Sequence, residues 1–146
     1  MSGEGERLTE LVDEVFRLSD ALARAGDAIV AEEGLSASRW RTLGALVSGP
    51  LSVAEIARRR GMRRQSASES VAQLEAAGLV ARTPDPRDAR APLVSLTEEG
   101  RAVLARIRPR RKAWAARTAR AASLDELSAA VELARRLRAE LESAER

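Results

Sequence analysis

A chain of 146 residues, 45% hydrophobic and 32% charged, has the length and balance of one folded domain with a real core. It contains no cysteine and no histidine, which excludes disulfides, thiolate-bound zinc and thiol redox sensing, and removes the commonest general base and metal ligand. The net charge of +3 hides a segregation: residues 1–35 carry three Arg against nine acids, residues 36–90 ten Arg against five, and residues 91–146 twelve basic residues against eight acids, a pattern suited to a polyanionic partner.

From Leu8 the apolar residues fall at 8, 11, 15, 18, 22, 25 and 29, which predicts one long helix with a narrow seam, stopped at Gly34. That seam can pack within its own subunit or against a partner helix. A second helix is expected over about 38–47, ended by "SGP". Ser52 and Glu55 stand in capping-box spacing and open a short helix that stops at Gly61. In "RRQSASESVAQLEAAG" the apolar positions Ala67, Val71, Leu74 and Ala77 predict another helix, with Gly78 as its stop. Two short helices joined by a glycine-containing turn fit helix-turn-helix geometry. The outer face of the second carries Arg63, Arg64, Gln65, Ser66, Ser68 and Glu69. Such groups can donate to phosphates or read base edges, or simply be solvated.

"LVART" (79–83) and "APLVSLT" (91–97) read as two strands of an antiparallel hairpin, with "PDPRDAR" (84–90) as its turn. Pro84 and Pro86 stiffen the tip, and Asp side chains favour turns. A hairpin directly after a helix-turn-helix is a wing. Arg87 and Arg90 at its tip can reach a minor groove, and Asp88 is expected to orient the Arg90 guanidinium through a charge-assisted hydrogen bond. Pro109 lies within a long helical pattern, so a kink or break is expected there. The basic run 106–112 around it fits an anionic effector, DNA phosphates or solvent alike. Finally, Ser123 and Glu126 form another capping box, opening a helix with an apolar stripe at Leu127, Val131, Ala134, Leu137 and Leu141. The terminal helices can bury their seams against each other, and across subunits this makes a helical dimer interface.

In order along the chain, "WRTLGALVSGPLSVAEIARRRG", "RQSASESVAQLEAAGLVART", "DPRDAR" and "LVSLTEEGR" resemble the MarR family of winged-helix transcription regulators. The resemblance implies a mainly α fold with a small β-hairpin wing. Residues 1–34 would form an N-terminal dimerisation helix, 36–97 the winged helix-turn-helix region, and 98–146 a C-terminal linker and dimerisation helices, all in one intertwined domain. It implies a homodimer on a palindromic operator in double-stranded DNA, usually a repressor released by a small organic effector. A cytoplasmic location is expected separately, as the default for a chain with neither membrane span nor signal-peptide pattern. Carried over by position, Arg64, Gln65, Ser66 and Ser68 sit on the recognition helix, and Asp88 and Arg90 match the wing's Asp-x-Arg. Ser52, Arg63 and Arg87 complete the expected DNA contacts. Two positions depart from the pattern: Arg63 stands where Ser or Thr often caps the helix, and Ala89 where Arg is frequent.

An effector pocket is expected from Phe16, Trp40, Leu43 and Trp114, the three aromatics being the only ones in the chain. Core packing is the plainer role for the same side chains. The rival to a ligand-released repressor is a ligand-independent architectural or regulatory DNA-binding protein of the same fold. An enzyme is not expected, because no G-x-S-x-G nucleophile motif, phosphate loop or dinucleotide glycine pattern is present. No cofactor and no metal is expected either. No stretch approaches the roughly 18 apolar residues of a membrane span, and the acidic N-terminus is unlike a signal peptide.

Overall fold

Local capping chemistry sets where each helix begins. The computed structural model describes residues 2–146. Ser2 caps α1 (Gly3–Val30), its hydroxyl accepting the Gly5 N–H at 3.2 Å. A single 3-10 turn, Ala31–Glu33, follows, and Gly34 closes it at φ 69°, a left-handed angle that favours glycine. Ser36 caps α2 (Ala37–Ala45). At the start of α3 (Val53–Arg60) the capping box is complete: the Glu55 N–H donates to the Ser52 hydroxyl, and the Ser52 N–H to the Glu55 carboxylate, each at 3.2 Å. The Ser52 backbone N–H, and then its hydroxyl, hold the Glu55 carboxyl below the ordinary glutamate range. Gly61 ends α3 in the left-handed region, and α4 (Arg64–Ala76) begins with Arg63 as an N-cap that makes no side-chain bond.

The core lies where α2, α3 and α4 meet. Leu43, Ile56, Val71 and Leu74 are fully buried there, and Val30 from α1 and Ile107 from further along the chain close it. β1 (Val80–Asp85) pairs antiparallel with β2 (Asp88–Leu96), Val80 opposite Leu96 and Thr83 opposite Leu93. The other edge of β2 is held as well. Leu51 donates to the Val94 carbonyl at 3.0 Å and accepts the Val94 N–H at 2.8 Å. A one-residue strand has no periodicity by which the sequence could reveal it.

Two sequence expectations change here. The turn predicted over 84–90 is only Pro86–Arg87, and the strands run up to Asp85 and Asp88 on either side. Regular pairing stops at Thr83–Leu93 and resumes at Asp85–Asp88. Between these pairs stand Pro84 and Pro92, neither of which has an N–H for the ladder. The prolines therefore interrupt the hairpin without ending it. In addition, α5 (Glu98–Thr118) continues through Pro109, so of the expected kink or break the break does not occur.

The first turn of α5 is docked by close backbone contact. Thr97 donates its hydroxyl to the Gly78 carbonyl at 2.7 Å and accepts the Gly100 N–H at 3.1 Å. A Cβ on Gly100 would run into the Leu79 carbonyl, so only glycine fits at this crossing. Arg106 then pairs with Glu33 at 3.1 Å and Glu99 at 3.5 Å, tying α5 to the turn after α1.

Two compact units result, one ending at Arg108 and the other Pro109–Arg146. The second holds the last turns of α5, a 3-10 turn at Ala119–Ala121, and α6 (Leu124–Ala144) behind the Ser123–Glu126 capping box. Among the described residues, no helix is long and apolar enough to cross a membrane.

Candidate nucleic-acid interface

α4 buries Ala67, Ser70, Val71 and Leu74, and this inward face turns Arg64, Gln65, Ser66, Ser68 and Glu69 to solvent. The wing stands beside that outer face. Arg64, Gln65 and Ser68 of α4 line one open hollow of about 450 Å³ together with Arg82 and Arg90 of the wing. Three guanidinium groups around one hollow make a local positive field that suits a phosphate backbone. Only Arg82 among them is in an ion pair, its Nε lying 3.4 Å from Glu75. Gln65 donates to Glu69 at 3.4 Å, a bond long enough to yield to a better acceptor.

At the tip, aspartates fix backbone rather than side chains. Asp85 accepts the Arg87 N–H at 2.9 Å, and Asp88 accepts the Arg90 N–H at 3.0 Å. The expected bond from Asp88 to the Arg90 guanidinium is therefore replaced by one to the Arg90 main chain. Proximity of two residues favours that closed Asx turn over a stretched side-chain pair. Arg87 sits at the turn itself and is exposed.

The other expected contacts take different places. The Ser52 hydroxyl accepts from the Glu55 N–H and donates to its carboxylate at 3.1 Å, so its one proton is committed to the cap. Arg63 is exposed at the start of α4. Arg82 was not anticipated from sequence. Its signal is period-two spacing from the buried Val80, which turns both side chains toward α4.

A second hollow, of about 480 Å³, lies between α1 and α2. Val15, Leu18, Leu22 and Trp40 give it apolar walls, and Ser38 and Arg41 give it a polar side. The helices approach closely at Gly26, where a Cβ would stand 2.8 Å from the Ala37 Cβ. Of the expected pocket residues in the same unit, Trp40 lines this groove. Phe16 is 72% exposed and outside it, and Leu43 is fully buried in the core. Trp114 belongs to the second unit. Arg41 was not foreseen; its guanidinium donates to the carbonyl of Arg60 at the end of α3. Among the described residues, no group of three or more acidic side chains is placed to hold a metal.

Comparison with known proteins places this arrangement. Residues 33–91, which contain both short helices and most of the wing, match the sequence model of the MarR family. The chain is 35% identical over 105 residues to the uncharacterized protein Rv2011c of Mycobacterium tuberculosis, covering 72% of this chain and 73% of that one. It is 34% identical over 102 residues to the transcriptional activatory protein BadR of Rhodopseudomonas palustris, covering 67% of this chain and 58% of BadR. Among solved structures, the MarR family transcription regulator SP03579 superposes with a TM-score of 0.77 at 26% identity, covering 96% of this chain and 95% of that one. PcaV from Streptomyces coelicolor, a transcriptional regulator solved with its natural ligand, gives 0.70 at 27% identity over 82% of this chain and 88% of its own. With a helix-turn-helix, a hairpin wing and flanking helices matched by regulators over nearly its whole length, the chain belongs to the MarR family of winged-helix transcription regulators and is not an enzyme.

Proposed function

We propose that the protein is a homodimeric repressor that binds a palindromic operator and is released by a small organic effector. The observation that carries the DNA reading is the joint hollow of α4 and the wing, where Arg64, Arg82 and Arg90 converge beside Gln65 and Ser68. Helix residues of these types suit base edges in a major groove, and an arginine-bearing hairpin suits the adjacent minor groove. Dimerisation is supported by apolar faces exposed to solvent on both terminal helices. These include Val12, Val15, Leu18 and Leu22 of α1, and Leu127, Val131 and Leu141 of α6. A second copy of the chain covers such faces with matching chemistry.

A footprint of the purified protein on DNA fragments that it selects from its own genome tests the reading. Two half-sites in inverted symmetry, about 10 bp centre to centre, are expected from a two-fold dimer. Equal affinity for unrelated DNA would instead favour the architectural alternative. BadR carries an activator's name, so transcription from the selected promoter decides polarity: repression requires output to rise when the protein is removed.

The groove at Trp40 is the effector site in this reading. Its apolar walls with a single guanidinium suit a compact apolar body bearing a negative charge. Titration of such compounds against Trp40 fluorescence, in a Trp114→Phe background, with DNA release followed in parallel, tests it.

A further inference from the structure

The chain has no cysteine, and its only methionine besides Met1 lies in the turn of the helix-turn-helix. Met62 is half-buried between Gly61, which ends α3, and Arg63, which caps α4. Its N–H closes the end of α3 on the Ala57 carbonyl at 2.9 Å. Its sulfur lies 3.7 Å from the Thr42 hydroxyl of α2. Thr42 is fully buried, and it and Ser70 of α4 are the two buried polar residues among those described. They belong to one polar seam. The Thr42 hydroxyl also bonds to the Ser38 carbonyl at 3.0 Å, and the Ser38 hydroxyl stands 3.4 Å from that of Ser70. A thioether is a weak acceptor, so Thr42 can direct its single proton to Ser38 and leave the sulfur as apolar cover.

We propose that Met62 is a redox modification site, and that its oxidation by hydrogen peroxide detaches the protein from DNA. The proposal rests on the DNA-binding reading of α4. A sulfur lone pair attacks one peroxide oxygen and the O–O bond breaks. That oxygen forms the sulfoxide, and the other leaves as water. Sulfur loses two electrons and the peroxide gains them. The sulfoxide oxygen is a strong, polar acceptor where a soft apolar group stood. Pointed inward, it competes with the Ser38 carbonyl for the one Thr42 proton. Turned to solvent, it withdraws the cover from a buried hydroxyl. Either outcome moves the turn that delivers Arg63, Arg64 and Gln65, and no side-chain bond from Arg63 holds the start of α4 in place. A methionine sulfoxide reductase with a thiol reductant reverses the change, the sulfoxide oxygen leaving as water.

The test uses the full chain, millimolar hydrogen peroxide and a DNA fragment that the reduced protein selects. Peptide mass spectrometry reads the site, circular dichroism the fold, and fluorescence anisotropy the affinity. Conversion of Met62 is expected to weaken binding about tenfold or more, the scale of one lost DNA contact, with helical content kept. Methionine sulfoxide reductases A and B should restore binding. Met62→Leu should bind DNA before and after peroxide alike, and Met62→Gln should bind weakly without any oxidant. The proposal is overturned if the fully converted protein binds as tightly as the reduced one. It is equally overturned if Met62→Leu loses binding on the same treatment, if peroxide converts Met1 but spares Met62, or if conversion unfolds the chain. Failure of the reduced protein to select any DNA would overturn the DNA-binding reading itself, and the release with it.

Discussion

Arg90 and Asp88 carry the residue-scale consequences. Arg90→Ala removes one of three guanidinium groups in the hollow, and should cost about 1–3 kcal/mol of DNA affinity, read by anisotropy titration. Asp88→Ala should weaken binding as well, by less. An aspartate that merely stood near DNA would repel phosphates, and its removal would tighten binding. Asp88 instead holds the Arg90 N–H, so its loss frees the backbone that aims the guanidinium. The double mutant should lose less than the two single losses added together, since both disable one unit. The sequence made Arg90 and Asp88 visible through their spacing in a proline-rich turn. It left the bond between them ambiguous, because a carboxylate two residues upstream reaches both the N–H and the guanidinium. Arg82 was hidden for another reason: a short strand reveals its inward face only once its buried partner Val80 is known.

The two capping boxes, at Ser52 and Ser123, were legible helix starts, and the first makes a prediction about pH. The Ser52–Glu55 box uses neighbours three apart, so its chemistry is complete before any tertiary contact forms. Its bonds lower the Glu55 pKa in the folded state. A lowered carboxylate contributes stability that is fully present above the ordinary glutamate range and is lost as pH falls through the folded value. Glu55→Gln should therefore flatten the acid limb of a stability-versus-pH curve, measured by urea denaturation. Ser52→Ala should cost about 1 kcal/mol at neutral pH by the same measurement. Elements defined by non-local contact were not legible. The Leu51–Val94 pairing and the fit of Gly100 under the Leu79 carbonyl depend on residues more than twenty positions apart. Gly100→Ala should destabilise the fold by about 1–3 kcal/mol through overpacking, seen as a lower Tm. A Tm equal to that of the parent would show that α5 can shift at no cost.

For the whole molecule, the exposed terminal faces are the controlling feature. Leu137→Glu with Leu141→Glu places two charges on the α6 stripe. In the dimer reading this buries carboxylates at a seam, so sedimentation should show monomer or unfolded chain. A dimer that survives the change would put the interface elsewhere. Salt adds an independent measurement: affinity for DNA should fall linearly on a log–log plot, because bound arginines displace counterions. The mainly α fold with its wing, and the family, were readable from patterns spread along the chain. The groove at Trp40 was not, since Leu43 is taken into the core and Phe16 faces solvent, and composition encodes neither placement.

The wing is clamped at its base and cut across its middle. Leu51 grips Val94 from the side, while the ladder lapses between Thr83 and Asp85. Such a finger has a fixed knuckle and a joint above it. Amide hydrogens at Leu51, Val80 and Val94 should exchange with solvent only on global opening, whereas those of Arg87 and Ala89 should exchange by local motion. In the DNA-binding reading, the distal joint lets one protein fit minor grooves of differing width without disturbing the recognition helix. Slowed exchange at Arg87 and Ala89 in the DNA complex, with Val94 unchanged, would register that joint locking.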